Sequence, residues 1–141
     1  MIRRLALAAT VSSAACSVDL GPMPDSGRWG TRADYFVSDV WPRYLVANQC
    51  AARGCHDFTD GHGTLRLRRP EAAPAAGTTV DLWPLGWREN YLSTVQLLRC
   101  DEPLASRLLT VPEVRTNLHP PGPIVLDRQA AAKLIESWLA P

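Results

Sequence analysis

Prolines interrupt this chain at short intervals and limit what it can fold into. Twelve prolines and nine glycines are distributed over 141 residues. A proline inside a helix removes a backbone donor and clashes with the preceding turn, so it ends or bends the element. The regular elements must therefore be short, and the connections between them long.

Apolar residues at helical spacing predict two longer helices. In the segment 33–48 they recur every three or four residues, as at Phe36, Val40 and Tyr44, and we expect Pro42 to kink the last turns. Near the C-terminus, Asp127 is a predicted N-cap. The apolar stripe after it consists of Ala131, Leu134, Ile135, Trp138 and Leu139.

The middle of the chain predicts shorter elements. Two helices are expected at 88–98 and 103–110, and the Pro-, Ala- and Gly-rich segment 69–86 predicts a surface loop. The sequence therefore predicts a mostly α-helical folded domain over 31–141 with long Pro-rich loops. A small domain of this kind commonly organises around a cofactor, a metal or disulfides.

The first residues have the layout of an export signal. A positive start is followed by an apolar run that is too short to span a bilayer, so we expect 1–15 to be a cleaved signal peptide. The four residues Ser13-Ala14-Ala15-Cys16 resemble a bacterial lipobox, in which Cys16 is acylated and anchors the protein to the membrane. Plain secretion is the alternative. The segment 16–30 predicts a flexible tether, and both readings place the protein in the periplasm or on the outer surface.

The charge balance and the motifs exclude several functions. Fifteen Lys and Arg stand against 14 Asp and Glu, for a net charge of +1. No basic block is present, so we expect no nucleic-acid partner. The chain contains no G-x-S-x-G, H-E-x-x-H, P-loop or G-x-G-x-x-G motif, and we do not expect an enzyme.

The cysteines carry the most specific signal. If Cys16 is acylated or removed, three of the four cysteines remain, an odd number for disulfide pairing. Cys50 and Cys55 are followed at once by His56, and two thiols followed by a histidine are the requirement for covalent haem attachment. The spacing is C-x4-C-H instead of the usual C-x-x-C-H, so the intervening loop must bulge, with Gly54 supplying flexibility.

The stretch 35–141 resembles the c-type cytochrome domain of bacterial exported proteins and lipoproteins, including a subgroup with the C-x4-C-H spacing. The matching pieces are Phe36-x3-Val40-x-Pro42, Cys50 with Cys55-His56, Gly63-x-Leu65-x-Leu67, Asp101-x-Pro103-x2-Ser106-x-Leu108, His119-Pro120-Pro121-Gly122, and the closing helix with Leu134-Ile135-x2-Trp138-Leu139. The resemblance implies a cytochrome c-like helical fold with one covalent haem c on Cys50 and Cys55. It also implies His56 as the proximal iron ligand and single-electron transfer with redox partner proteins.

The resemblance also suggests a sixth iron ligand. Members of the family usually carry a Met before Pro-Pro-Gly, where this chain has His119. Pro120 and Pro121 would hold that loop stiff. The expected iron site is therefore bis-His, with a potential below that of a His/Met site because thioether sulfur favours the reduced state. His62 is the reserve ligand.

Other readings of the same residues stay open. A disulfide of Cys50 with Cys55 or with Cys100 is one alternative, and it would leave a haem-free helical interaction or structural lipoprotein. A zinc site would use Cys50, Cys55, His62 and His119. The sequence assigns no role to Cys100.

Two further groups of side chains accompany these hypotheses. The aromatic residues at helical spacing predict core, and in the haem hypothesis some of them wall the porphyrin. These residues are Phe36, Trp41, Tyr44 and Trp138. The second group consists of arginines that are candidates to neutralise haem propionates. These are Arg53, Arg66, Arg68 and Arg69.

Overall fold

The computed structural model of the chain describes residues 32–70, 72–113 and 127–140. Within these ranges the regular elements are helices, so the predicted mostly α-helical fold is confirmed. The predicted signal peptide and tether, Cys16 and the segment around His119 lie outside the described residues.

The first predicted helix is present, and its geometry is unusual. The α-helical turn α1, Ala33–Tyr35, continues directly as a π-helix, Phe36–Val46. At its end the backbone bonds span five residues, from the Ala47 amide to the Pro42 carbonyl at 3.2 Å. Pro42 therefore lies inside the helix without ending it, because the wider turn accommodates the ring where a regular α-helix would be expected to kink.

The later helices differ from prediction mainly at their ends. Three α-helices follow the π-helix: α2 is Leu85–Val95, α3 is Arg107–Glu113 and α4 is Arg128–Leu139. Short 3-10 turns occur at Val80–Leu82 and Pro103–Ala105.

The predicted helix at 88–98 begins and ends three residues earlier, because the Pro84 carbonyl accepts from the amides of Trp87 and Arg88. The predicted helix at 103–110 is divided at Ser106, whose ψ of 134° is extended. The Ser106 hydroxyl accepts from the Arg99 amide at 2.9 Å, which holds this break in place. The predicted N-cap of α4 is confirmed, since the Asp127 carboxylate accepts from the Ala130 amide at 3.0 Å.

An aromatic cluster forms the centre of the core. Trp138 of α4 and Phe36 of the π-helix lie with their ring centroids 5.5 Å apart, and Tyr91 of α2 packs edge-on to Phe36 at 5.3 Å. Trp41 and Trp87 extend the cluster. The Trp138 indole N–H donates to the Arg32 carbonyl at 3.0 Å, so α4 is also fastened to the start of the π-helical segment.

The predicted surface loop at 69–86 is mostly exposed, with one buried anchor. Trp83 is buried, and its indole N–H donates to the Thr78 carbonyl at 2.9 Å. Across the described ranges, no helix is both long enough and apolar enough to cross a bilayer.

Candidate functional site

A cleft of about 150 Å³ lies between the cysteine segment and α3. Cys50, Cys55 and His56 all line it. Its other walls are largely apolar and come from the chain after the cysteines and from α3. The apolar wall residues are Leu65, Leu97, Leu108, Val111 and Pro112.

The end of the π-helix brings the first cysteine into this cleft. The Cys50 amide donates to the Leu45 carbonyl at 2.9 Å, and Gln49 turns the chain with a φ of 55°. Six residues later the chain returns, because the His56 amide donates to the Cys50 carbonyl at 3.0 Å. Gly54, with φ of 75°, makes the return possible. The predicted bulge between the cysteines therefore leaves both side chains on one cleft.

The two thiols differ in their surroundings. Cys50 is only 7% exposed, whereas Cys55 is half-buried at the cleft. Burial raises the pKa of the Cys50 thiol to about 12, and the nearby Cys55 adds to the shift. Both are free thiols, so neither the Cys50–Cys55 nor the Cys50–Cys100 disulfide considered above is formed.

The geometry around His56 selects one tautomer of its ring. Nδ1 lies 3.0 Å from the His62 carbonyl oxygen and 3.2 Å from that of Leu65. A carbonyl oxygen only accepts, so Nδ1 carries the proton and Nε2 carries the lone pair. Histidine ligands of metals are commonly oriented by a backbone carbonyl in this way.

The backbone around His56 is tightly packed. The His62 amide donates to the Cys55 carbonyl at 2.7 Å, and the Gly61 amide donates to that of Asp57 at 2.8 Å. A Cβ at Gly61 would lie 2.6 Å from the carbonyl carbon of His56. Position 61 therefore requires glycine, because a side chain would push the backbone of the histidine away.

Asp57 stabilises the turn that follows. Its carboxylate accepts from the Thr59 amide at 2.9 Å and from the Asp60 amide at 3.3 Å. These two bonds lower the pKa of the Asp57 carboxyl below its ordinary value. The ionised carboxylate therefore keeps the segment after His56 in a compact turn.

Side chains of α2 hold the far side of this loop. The buried Asn90 accepts from the Arg68 amide at 2.7 Å and donates to the Arg68 carbonyl at 2.9 Å. Ser93 accepts from the Arg66 amide at 2.7 Å. Between them, the Leu67 amide donates to the His56 carbonyl at 2.7 Å. Sequence reasoning missed these supports; two polar residues on the packed side of a helix were the available signal.

The four aromatic residues predicted at helical spacing divide between the core and the cleft. Of the four aromatic residues considered in the sequence, only Tyr44 lines it, and its hydroxyl donates to the Leu108 carbonyl. Phe36, Trp41 and Trp138 pack together in the core. All four belong to the buried core, as the sequence predicted, and Tyr44 alone among them also borders the cleft.

The arginines expected near a haem do not line the cleft. Arg53 pairs with Asp60 at 3.2 Å, and Arg68 pairs with Glu89 while its guanidinium lies 3.3 Å from the centroid of the Phe58 ring. Arg66 donates to the Gly61 carbonyl. Arg69 lies on a separate groove together with Arg68.

Of the two histidines considered as the sixth iron ligand, the structure describes only His62. His62 lines the cleft and is exposed. His119 lies outside the described residues. Within the ranges that the structure describes, no three His, Cys, Asp or Glu side chains form a metal-binding group. Cys50, Cys55 and His62 therefore do not by themselves form the zinc site that the sequence left open as an alternative.

Comparison of the chain with family models, with curated proteins and with solved structures finds no match.

Proposed function

We propose that this protein is a c-type cytochrome-like lipoprotein that transfers single electrons. Haem c would be held covalently by Cys50 and Cys55, with His56 as the proximal iron ligand and His119 as the sixth ligand. The protein would act as an electron carrier between redox partner proteins, exported and anchored to a membrane through Cys16.

One observation carries the proposal: both thiols and the ring of His56 line the same cleft. Haem attachment requires this convergence, because the two sulfurs and the iron ligand must meet one porphyrin. The carbonyl contacts at Nδ1 leave the lone pair of His56 on Nε2, the form needed to bind iron.

The chemistry of the cleft favours haem over the rival uses of the cysteines. Its walls are mainly apolar, which suits a porphyrin face. Cys50 and Cys55 are both free thiols, as addition to a vinyl group requires. In haem attachment each thiol would add across a vinyl group, with its sulfur on one carbon and its proton on the other.

The described walls do not by themselves enclose a porphyrin. The cleft volume of about 150 Å³ is below the roughly 300–1,000 Å³ typical of pockets that enclose a drug-sized ligand. A bound haem would therefore need walls beyond the described residues, among which His119 is not included.

The chain's own residues would have distinct tasks. Cys50 and Cys55 would fix the ring, while the His62 and Leu65 carbonyls would keep His56 oriented. Leu65, Leu108 and Val111 would exclude water from the porphyrin face. When bound, haem supplies the one-electron iron couple that the protein itself lacks.

The test is expression in a bacterial host that matures c-type cytochromes. We expect a Soret band, haem staining that survives a denaturing gel, and the mass of a haem added to the peptide spanning Cys50 and Cys55. The double variant Cys50→Ser/Cys55→Ser is the matched control and should lose all three signals. A colourless unaltered protein with no added mass on that peptide would contradict the proposal and leave the haem-free lipoprotein.

The axial ligands and the anchor have separate tests. His119→Ala should keep the haem attached but change its low-spin absorption spectrum; an unchanged spectrum would move the sixth ligand to another residue, with His62→Ala as the next variant. Cys16→Ser should release the protein from membranes. A protein that is already soluble without this substitution would contradict the lipid anchor.

A further inference from the structure

Among the described residues that line the cleft, Arg107 carries a fixed charge. Arg107 lines the cleft together with the two thiols and His56. The other described lining residues include no Asp, Glu or Lys. Arg107 forms no ion pair with any residue in the part of the chain that the structure describes.

The position of Arg107 on α3 relates this charge to the apolar wall. Arg107, Leu108, Val111 and Pro112 all border the cleft, and their spacing places them on one side of the helix. Leu108 is buried, whereas Arg107 is exposed. The helix therefore presents an apolar surface within the cleft and a cation at its mouth.

We infer that Arg107 binds a carboxylate of the group held in this cleft, which under the proposed function is a haem propionate. A cleft with apolar walls and a cation at its opening fits a ligand with an apolar body and an acidic edge. The guanidinium fork matches the two oxygens of a carboxylate. The inference rests on the proposed function and assigns to Arg107 the role that the sequence suggested for other arginines.

The measurement is the reduction potential of the haem protein, obtained by spectroelectrochemical titration of purified holoprotein. Arg107→Gln should lower the potential, because the carboxylate charge is then uncompensated and the oxidised iron is electrostatically favoured. Arg107→Lys keeps the cation and should retain most of the original potential. Lys133→Gln, which removes a positive charge from exposed α4 outside the cleft, should leave the potential unchanged.

The outcomes separate this inference from the proposed function. A lowered potential in Arg107→Gln, with Arg107→Lys and Lys133→Gln close to the unaltered protein, supports the assignment. An unchanged potential in Arg107→Gln, or an equal decrease in Lys133→Gln, overturns it while the haem remains attached. Absence of haem from the unaltered protein overturns the function and the inference together. Thermal unfolding of each variant verifies that the measured species is folded.

Discussion

The aromatic core and the cysteine loop are held together by different forces. In the core, large buried rings such as Phe36, Tyr91 and Trp138 contact one another directly. Around His56 the chain is held mainly by backbone hydrogen bonds and by polar side chains that α2 contributes. The aromatic rings of the core and the polar supports of the cysteine loop can therefore be perturbed by different substitutions.

The largest effect should come from emptying the core. Trp138→Ala removes a fully buried indole and its bond to the Arg32 carbonyl. We expect the free energy of unfolding to fall by about 3–5 kcal/mol. Urea denaturation measures this change, and Leu82→Ala, at an exposed position, should change it by less than about 0.5 kcal/mol. Equal effects of the two substitutions would contradict the assignment of Trp138 to the core.

A smaller effect, directed at the site, is expected from Gly61→Ala. The added Cβ meets the backbone at His56 and Asp57, and we expect destabilisation of about 3 kcal/mol, the upper end for overpacking. If haem is bound as proposed, its absorption spectrum should change as well, because His56, the proposed proximal ligand, would be displaced. Gly86→Ala is the control, since its Cβ lies no closer than 3.7 Å to a neighbouring atom. A normal spectrum and normal stability in Gly61→Ala would contradict the tight packing.

The smallest of the three effects concerns the link between the two regions. Asn90→Ala removes both bonds to the Arg68 backbone, and we expect a loss of about 2 kcal/mol at roughly 1 kcal/mol for each bond. Hydrogen exchange should become faster at the Arg68 amide through local opening. The amides of α4 should speed up only as far as the lower free energy of global unfolding requires. Uniform acceleration across both regions would mean that the core and the loop open together.

The sequence was most informative where the determinants are local. The apolar stripe of the first helix and the Asp127 cap of α4 are set by residues three or four positions apart, and both predictions are confirmed. The convergence of Cys50, Cys55 and His56 on one cleft also follows from a short motif. The covalent attachment of haem to the two cysteines, with His56 as an iron ligand, stays a prediction.

Long-range features escaped sequence reasoning. Ser93 supports Arg66 across 27 residues, and Arg107 reaches the cysteines' cleft from more than fifty residues away. The spacing of neighbouring residues in the sequence does not predict contacts over such distances. The nearby arginines were the obvious candidates for a bound anion, but Arg53 and Arg68 already have carboxylate partners in the fold.

The turn between the cysteines points outward and tolerates change unequally along its length. The Arg53 side chain is 85% exposed, so a substitution there should meet no steric obstacle. An added Cβ at Gly54 would also meet no atom within 4 Å, but its φ of 75° disfavours any residue with a side chain. Conformation of the backbone, and not packing, therefore limits which residues this turn accepts.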